Sequence, residues 1–161
     1  MPRRFEELWA LIDASVPDPE RFAAAVEGLD QDALIERYAD VFAARQAVRV
    51  KWAGPWIDAA IGHLSEDSTE DLCDWIVGQG SEIWAGACGA ADATLVALFH
   101  AAHAERGRPG RWRGRTPEIG PALFNAYARR CDGDEFHDRV ADVLAIRAEE
   151  DADEDEDEDE D

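Results

Sequence analysis

Asp74-Trp75-Ile76-Val77-Gly78-Gln79-Gly80-Ser81-Glu82-Ile83-Trp84 is the stretch that decides the fold. Its two tryptophans lie nine residues apart, close to two and a half helical turns. Between them Gly78-Gln79-Gly80 interrupts any regular element, because each glycine costs a helix interior about 0.5–1 kcal/mol relative to alanine. The reading is a helix that ends at the glycines and a second that begins at Ser81.

Helical periodicity continues on both sides. Upstream, Phe5, Leu8, Trp9 and Ile12 recur at three- and four-residue spacing and mark an amphipathic helix over 4–15. Asp18-Pro19-Glu20 starts the next helix, with Asp18 as N-cap and Pro19 in the first turn, where its missing N–H does no harm. Phe22, Val26 and Leu29 form its apolar stripe and Gly28 marks its end. Asp30 caps a longer helix, about 31–49, that buries Leu34, Ile35, Tyr38, Val41 and Phe42. One brief helix fits between Trp52 and Leu64. Ser65-Glu66-Asp67 reads as a loop, and Ser68-Thr69-Glu70-Asp71 as a capping box opening the helix of Leu72, Trp75 and Ile76.

Downstream, Asp92 caps a helix carrying Leu95, Val96, Leu98 and Phe99, which fades at Glu105-Arg106-Gly107. Arg106 to Arg115 is an Arg/Gly-rich loop. Thr116-Pro117-Glu118 repeats the cap-proline-acid start, followed by Leu123, Phe124 and Tyr127. A last helix, about 134–148, carries Phe136, Val140, Val143, Leu144 and Ile146 on its apolar face. Val48 to Trp52 is the nearest candidate strand, but a lone strand has nothing to pair with. The expectation is an all-α single compact domain of seven to nine helices with a disordered acidic C-terminal tail.

Charge narrows the function. The chain of 161 residues has a formal charge of -21, and residues 149–161 are acidic at every position except Ala152. Removing those 12 negatives leaves -9 for residues 1–148. Such a body does not attract nucleic-acid backbones or anionic membranes, both of which need clustered Lys and Arg. No apolar run approaches the roughly 20 residues of a membrane span, and no signal-type segment follows Met-Pro-Arg-Arg. Cys73, Cys88 and Cys131, an odd count without a Cys-x-x-Cys pair, read as free thiols in a reducing cytoplasm.

No nucleophile elbow, Walker loop or His-Glu-x-x-His appears, so no motif specifies a reaction. His100 and His103 share a helix face and are the metal candidates, with His63, Cys88 or a distant carboxylate to complete a site; the alternative is two surface histidines near a helix C-terminus. No cofactor is expected. Asp71, Asp74 and Glu82 flank the glycine break as acid–base candidates or as first-turn helix stabilisers. Gln79 either contacts a ligand or holds the turn's backbone. Of six tryptophans, Trp52 and Trp56, at i,i+4 beside Gly54-Pro55, are the pocket candidates, with Trp75 next; core packing is the alternative for all. Arg111, Trp112 and Arg113 form an Arg-aromatic cluster suited to single-stranded nucleic acid or phosphate, or to the chain's own acidic tail; the alternative is a solvated flexible loop.

Three pieces of the chain resemble the bacterial domain-of-unknown-function family 4240. They are the opening Phe5-x-x-Leu8-Trp9-x-Leu11-Ile12-Asp13, the tryptophan-bearing segment Lys51 to Asp67, and the block Trp75-Ile76-Val77-Gly78-Gln79-Gly80-Ser81-Glu82. The resemblance covers about 100 of the 161 residues and departs at Gly62-His63-Leu64-Ser65, where the family pattern has Gly-Gly-Cys. It implies no catalytic residues, since the family carries no established activity. The functional expectation is a non-catalytic protein-interaction or regulatory domain, cytoplasmic, that binds another protein, a basic one among the candidates, through an aromatic-lined helical surface and the acidic tail. The alternatives are an enzyme, metal-dependent among other forms, and an acidic nucleic-acid mimic.

Overall fold

A computed structural model describes residues 5–15, 18–52, 55–106 and 119–158, with the side chains of Pro19, Pro55, Asp58, Glu105, Arg106 and 151–158 outside the description. The described residues form nine α-helices and no strand: α1 (Glu6–Asp13), α2 (Pro19–Val26), α3 (Gln31–Arg49), α4 (Pro55–Ile61), α5 (Glu66–Gly78), α6 (Ser81–Cys88), α7 (Asp92–Arg106), α8 (Ile119–Ala128) and α9 (Phe136–Glu158). The candidate strand is instead a 3₁₀ turn, Val50–Trp52, that continues α3.

The local start signals work as written. Asp18 accepts from the backbone N–H groups of Glu20 and Arg21 at 3.0 and 3.1 Å, and Asp30 from that of Ala33 at 2.8 Å. One start is displaced. Ser65, not Ser68, caps α5: its Oγ accepts from the Ser68 N–H at 3.2 Å, so Glu66 and Asp67 sit in the first helical turn. Asp92 likewise lies inside the first turn of α7 rather than capping it. The start expected at Thr116-Pro117-Glu118 lies outside the described residues.

α3 is the axis of the fold. At 1.5 Å per residue its 19 residues span about 28 Å. It packs against α8 and α9 on one side and against α1, α5 and α6 on the other, while α2 packs on α8 and α1. Leu34, Val41 and Val48, seven residues apart, form a buried line along it with Ala44. Phe42 departs from expectation: it is 38% exposed.

Two aromatic clusters fill the core. Phe5, Trp9 and Trp84 bring α1 and α6 together, with the two indoles 5.0 Å apart and the Trp84 Nε1–H donating to the Ala44 carbonyl of α3 at 2.9 Å. Tyr38, Phe124, Tyr127 and Phe136 tie α3, α8 and α9, with Phe136 at 4.8–5.3 Å from the other three rings. Edge-to-face pairs at such distances each contribute roughly 0.5–1.5 kcal/mol beyond the area they bury.

The glycine break resolves into one indispensable residue. Gly78 ends α5, while Gly80 has φ +96° and ψ 176°, a region open essentially to glycine alone. A Cβ at Gly80 would overlap Asp13 Oδ1. That carboxylate, arriving from the end of α1, accepts from the Ser81 N–H at 2.9 Å and the Ser81 hydroxyl at 2.5 Å. One acidic side chain thus caps a helix 68 residues away, and both features depend on the missing Cβ.

Candidate functional site

The surface with a distinct chemical character is the outer face of α9 and its continuation into the acidic run. α9 buries Phe136 and Val140 and half-buries Val143 and Leu144. On the opposite face Asp138, Asp142, Ile146 and Glu149 recur at spacings of four, four and three, and all are exposed. Ile146, expected with the apolar face, is instead 56% exposed, a large apolar side chain turned outward into an acidic stripe because the buried line of α9 ends at Leu144. The helix is continuous to Glu158, past the expected end near 148. Of the tail expected to be disordered, the side chains of 151–158 and the whole of 159–161 lie outside the described residues.

α9 is held in place by charge. α3 presents Asp32, Glu36 and Asp40, each four residues on, and α9 presents Arg139 and Arg147, eight apart. Arg139 pairs with Asp32 at 2.6 Å, donates to the Tyr127 hydroxyl at 3.2 Å, and lies 5.9 Å from that ring's centroid. Arg147 pairs with Glu36 and, at 2.9 Å, with Asp40. Asp40 has 0% exposure and also meets Arg37 Nε at 3.2 Å, while Arg37 reaches Glu7 of α1 at 2.6 Å. The Asp40 carboxylate is thus enclosed between two guanidinium groups. Burial lifts the Asp40 carboxyl above its ordinary pKa, and Arg37 and Arg147 pull it part of the way back.

A second ionic seam joins α3 to α5. Arg45 meets Asp74 at 2.7 Å and Glu70 at 3.9 Å; Arg49 meets Glu66 at 2.8 Å and Glu70 at 3.6 Å. Desolvation pushes Asp74 up to about 6, against Arg45 and with help from Asp71 and Glu70. Half of the Asp74 side chain is nonetheless open to water, so the pair is a screened surface contact. The neighbouring Cys73 thiol is buried and pushed up to about 12, which makes it inert rather than nucleophilic.

The other sequence candidates do not converge. Trp52 and Trp75 are each 94% buried in the core. Trp56 is half-buried, and its ring centroid lies 6.1 Å from that of Trp52, a contacting aromatic pair rather than a slot for a third ring. Gln79 is half-buried at the C-cap of α5, and Glu82 is exposed in the first turn of α6. His100 and His103 are exposed on α7, where Phe99 stacks on His103 at 5.9 Å. Among the described residues no group of three or more His, Cys, Asp or Glu could hold a metal ion. Arg111, Trp112 and Arg113 lie outside the described residues.

The α3–α9 seam escapes a reading by sequence. Its only local signal is matched spacing, acids at 32, 36 and 40 and arginines at 139 and 147, and pairing them requires knowing that two helices 107 residues apart run side by side. No family model, curated protein or solved structure compared with the chain matches it. Among the described residues, no helix is long and apolar enough to cross a membrane.

Proposed function

We propose that the chain is a non-catalytic protein-interaction or regulatory domain of the cytoplasm, of the domain-of-unknown-function 4240 kind, whose partner is a basic protein surface. The observation that carries this reading is the outward face of α9: Asp138, Asp142 and Glu149 around the exposed Ile146, leading into a run with 12 carboxylates. A cationic surface is drawn to such a stripe by long-range attraction, and the single apolar side chain supplies a contact that water does not compete for. Among the described residues, the tryptophans that a small-molecule site would draw on are engaged elsewhere: Trp52 and Trp75 lie in the core and Trp56 packs against it. Nucleic acid and anionic lipid carry the same sign of charge as this surface and are unsuited to it.

The test is capture from extracts of the native host with the full chain as bait, repeated with Asp138→Asn/Asp142→Asn and with Ile146→Asp. The expected partner is a basic protein whose retention falls with rising salt and with each variant. A partner whose retention ignores salt and both variants would refute the reading. If the same partner is displaced by nucleic acid, the acidic face acts as a mimic of a polyanion.

A further inference from the structure

The buried face of α9 changes character along its length. Its first half is held by apolar burial, with Phe136 and Val140 inside the core and Val143 and Leu144 half-buried. Beyond Leu144 no apolar side chain through Glu150 is buried: Ala145, Ile146, Ala148, Glu149 and Glu150 are all exposed. Only Arg147 turns inward, with its side chain 19% exposed, to Glu36 and the wholly enclosed Asp40.

We infer that the second half of α9 is a releasable strap, fastened to α3 by the Arg147–Asp40 ion pair, that opens without unfolding the core. Apolar packing yields only with the unit it stabilises, whereas a helix segment held by one charged side chain is a separate, lower-stability unit. Arg37 remains beside Asp40 when Arg147 leaves, so the enclosed carboxylate keeps one cation and the opening does not strand it. The acidic run begins two residues past Arg147, so whatever engages the run pulls directly on this fastening. Release also bares Glu36 and the Arg147 side of Asp40 to a partner's cations; that consequence rests on the function proposed above, but the strap does not.

Hydrogen exchange on the full chain tests it without a partner. In mild urea, the amides of 145–150 exchange through an opening with little denaturant dependence, while those of 34–48 exchange only through global unfolding. Arg147→Gln raises exchange in 145–150 by about tenfold or more and leaves 34–48 within about twofold after correction for global stability. The inference is overturned if 145–150 and 34–48 share one denaturant dependence. It is equally overturned if 145–150 exchanges at the same fast rate with and without Arg147, which is mere fraying of a helix end. Should Arg147→Gln fail to fold, the wild-type chain decides: little urea dependence with 145–150 protected about tenfold or more over the unstructured rate is the strap, and protection near unity is fraying and overturns it.

Discussion

Gly80→Ala probes the residue on which the α5–α6 junction depends. The change places a side chain at φ +96°, ψ 176°, which costs about 1–3 kcal/mol in backbone strain. Its Cβ also displaces the Asp13 carboxylate, which then gives up the Ser81 N–H and hydroxyl. Losing a helix cap of this kind costs about 0.5–2 kcal/mol. Restricting the unfolded chain returns roughly 0.4–1 kcal/mol. The net expectation is a loss of about 2–3 kcal/mol, or roughly 4–12 °C in Tm for a body near 150 residues. Urea unfolding followed by tryptophan fluorescence should show a lower midpoint with an unchanged slope. In an Asp13→Ala background the displacement has nothing left to break, so the same substitution should cost about 1 kcal/mol less. A Gly80→Ala chain within about 0.5 kcal/mol of wild type, or costs that add fully across the cycle, would refute this description of the junction.

Trp84→Phe removes the indole N–H that meets the Ala44 carbonyl and should destabilise by about 1–3 kcal/mol in the same assay. Asp74 sets a pH signature. Its folded pKa of about 6 lies above the ordinary carboxylate value of 3.8, so the native state binds the extra proton in that window and Asp74's contribution to stability declines as pH rises through it. Asp74→Asn should flatten that decline in urea midpoints measured from pH 4 to 8; an unchanged profile would discount the shift. Cys73 should resist iodoacetamide at pH 8 in the native chain and react on unfolding, read by mass spectrometry. Deleting residues 149–161 should speed hydrogen exchange across 106–115 at low salt if the arginine segment pairs with the acidic run; an unchanged rate counts against that pairing.

What was legible in the sequence is what depends on neighbours in the chain. Asp18 and Asp30 cap as written because a cap needs only its own next two or three N–H groups. The break between Trp75 and Trp84 is visible because glycine has a backbone role whatever the fold. The choice between Ser65 and Ser68 went the other way, since both offer a hydroxyl with acids following and tertiary packing selects the register of the first turn. The buried Asp40 is invisible for another reason. An acid flanked by Ala39 and Val41 reads as an outward position until Arg37 and Arg147 are known to meet it. The Trp52–Trp56 pair, with its spacing read correctly, forms packing rather than a pocket because the distance between the rings, not their separation in sequence, decides what fits. The stripe on α9 needed the burial of Val140 and Arg147 to tell its outer face from its inner one.

The most direct measurement is parallel affinity purification of the full chain and a chain ending at Ala148, with bound proteins and metals both identified. The expected result is a basic protein held by the full chain at low salt and lost from the shortened one. Retention of no protein together with a stoichiometric metal ion, or equal retention by both chains, would contradict a function exercised through the acidic run that continues α9.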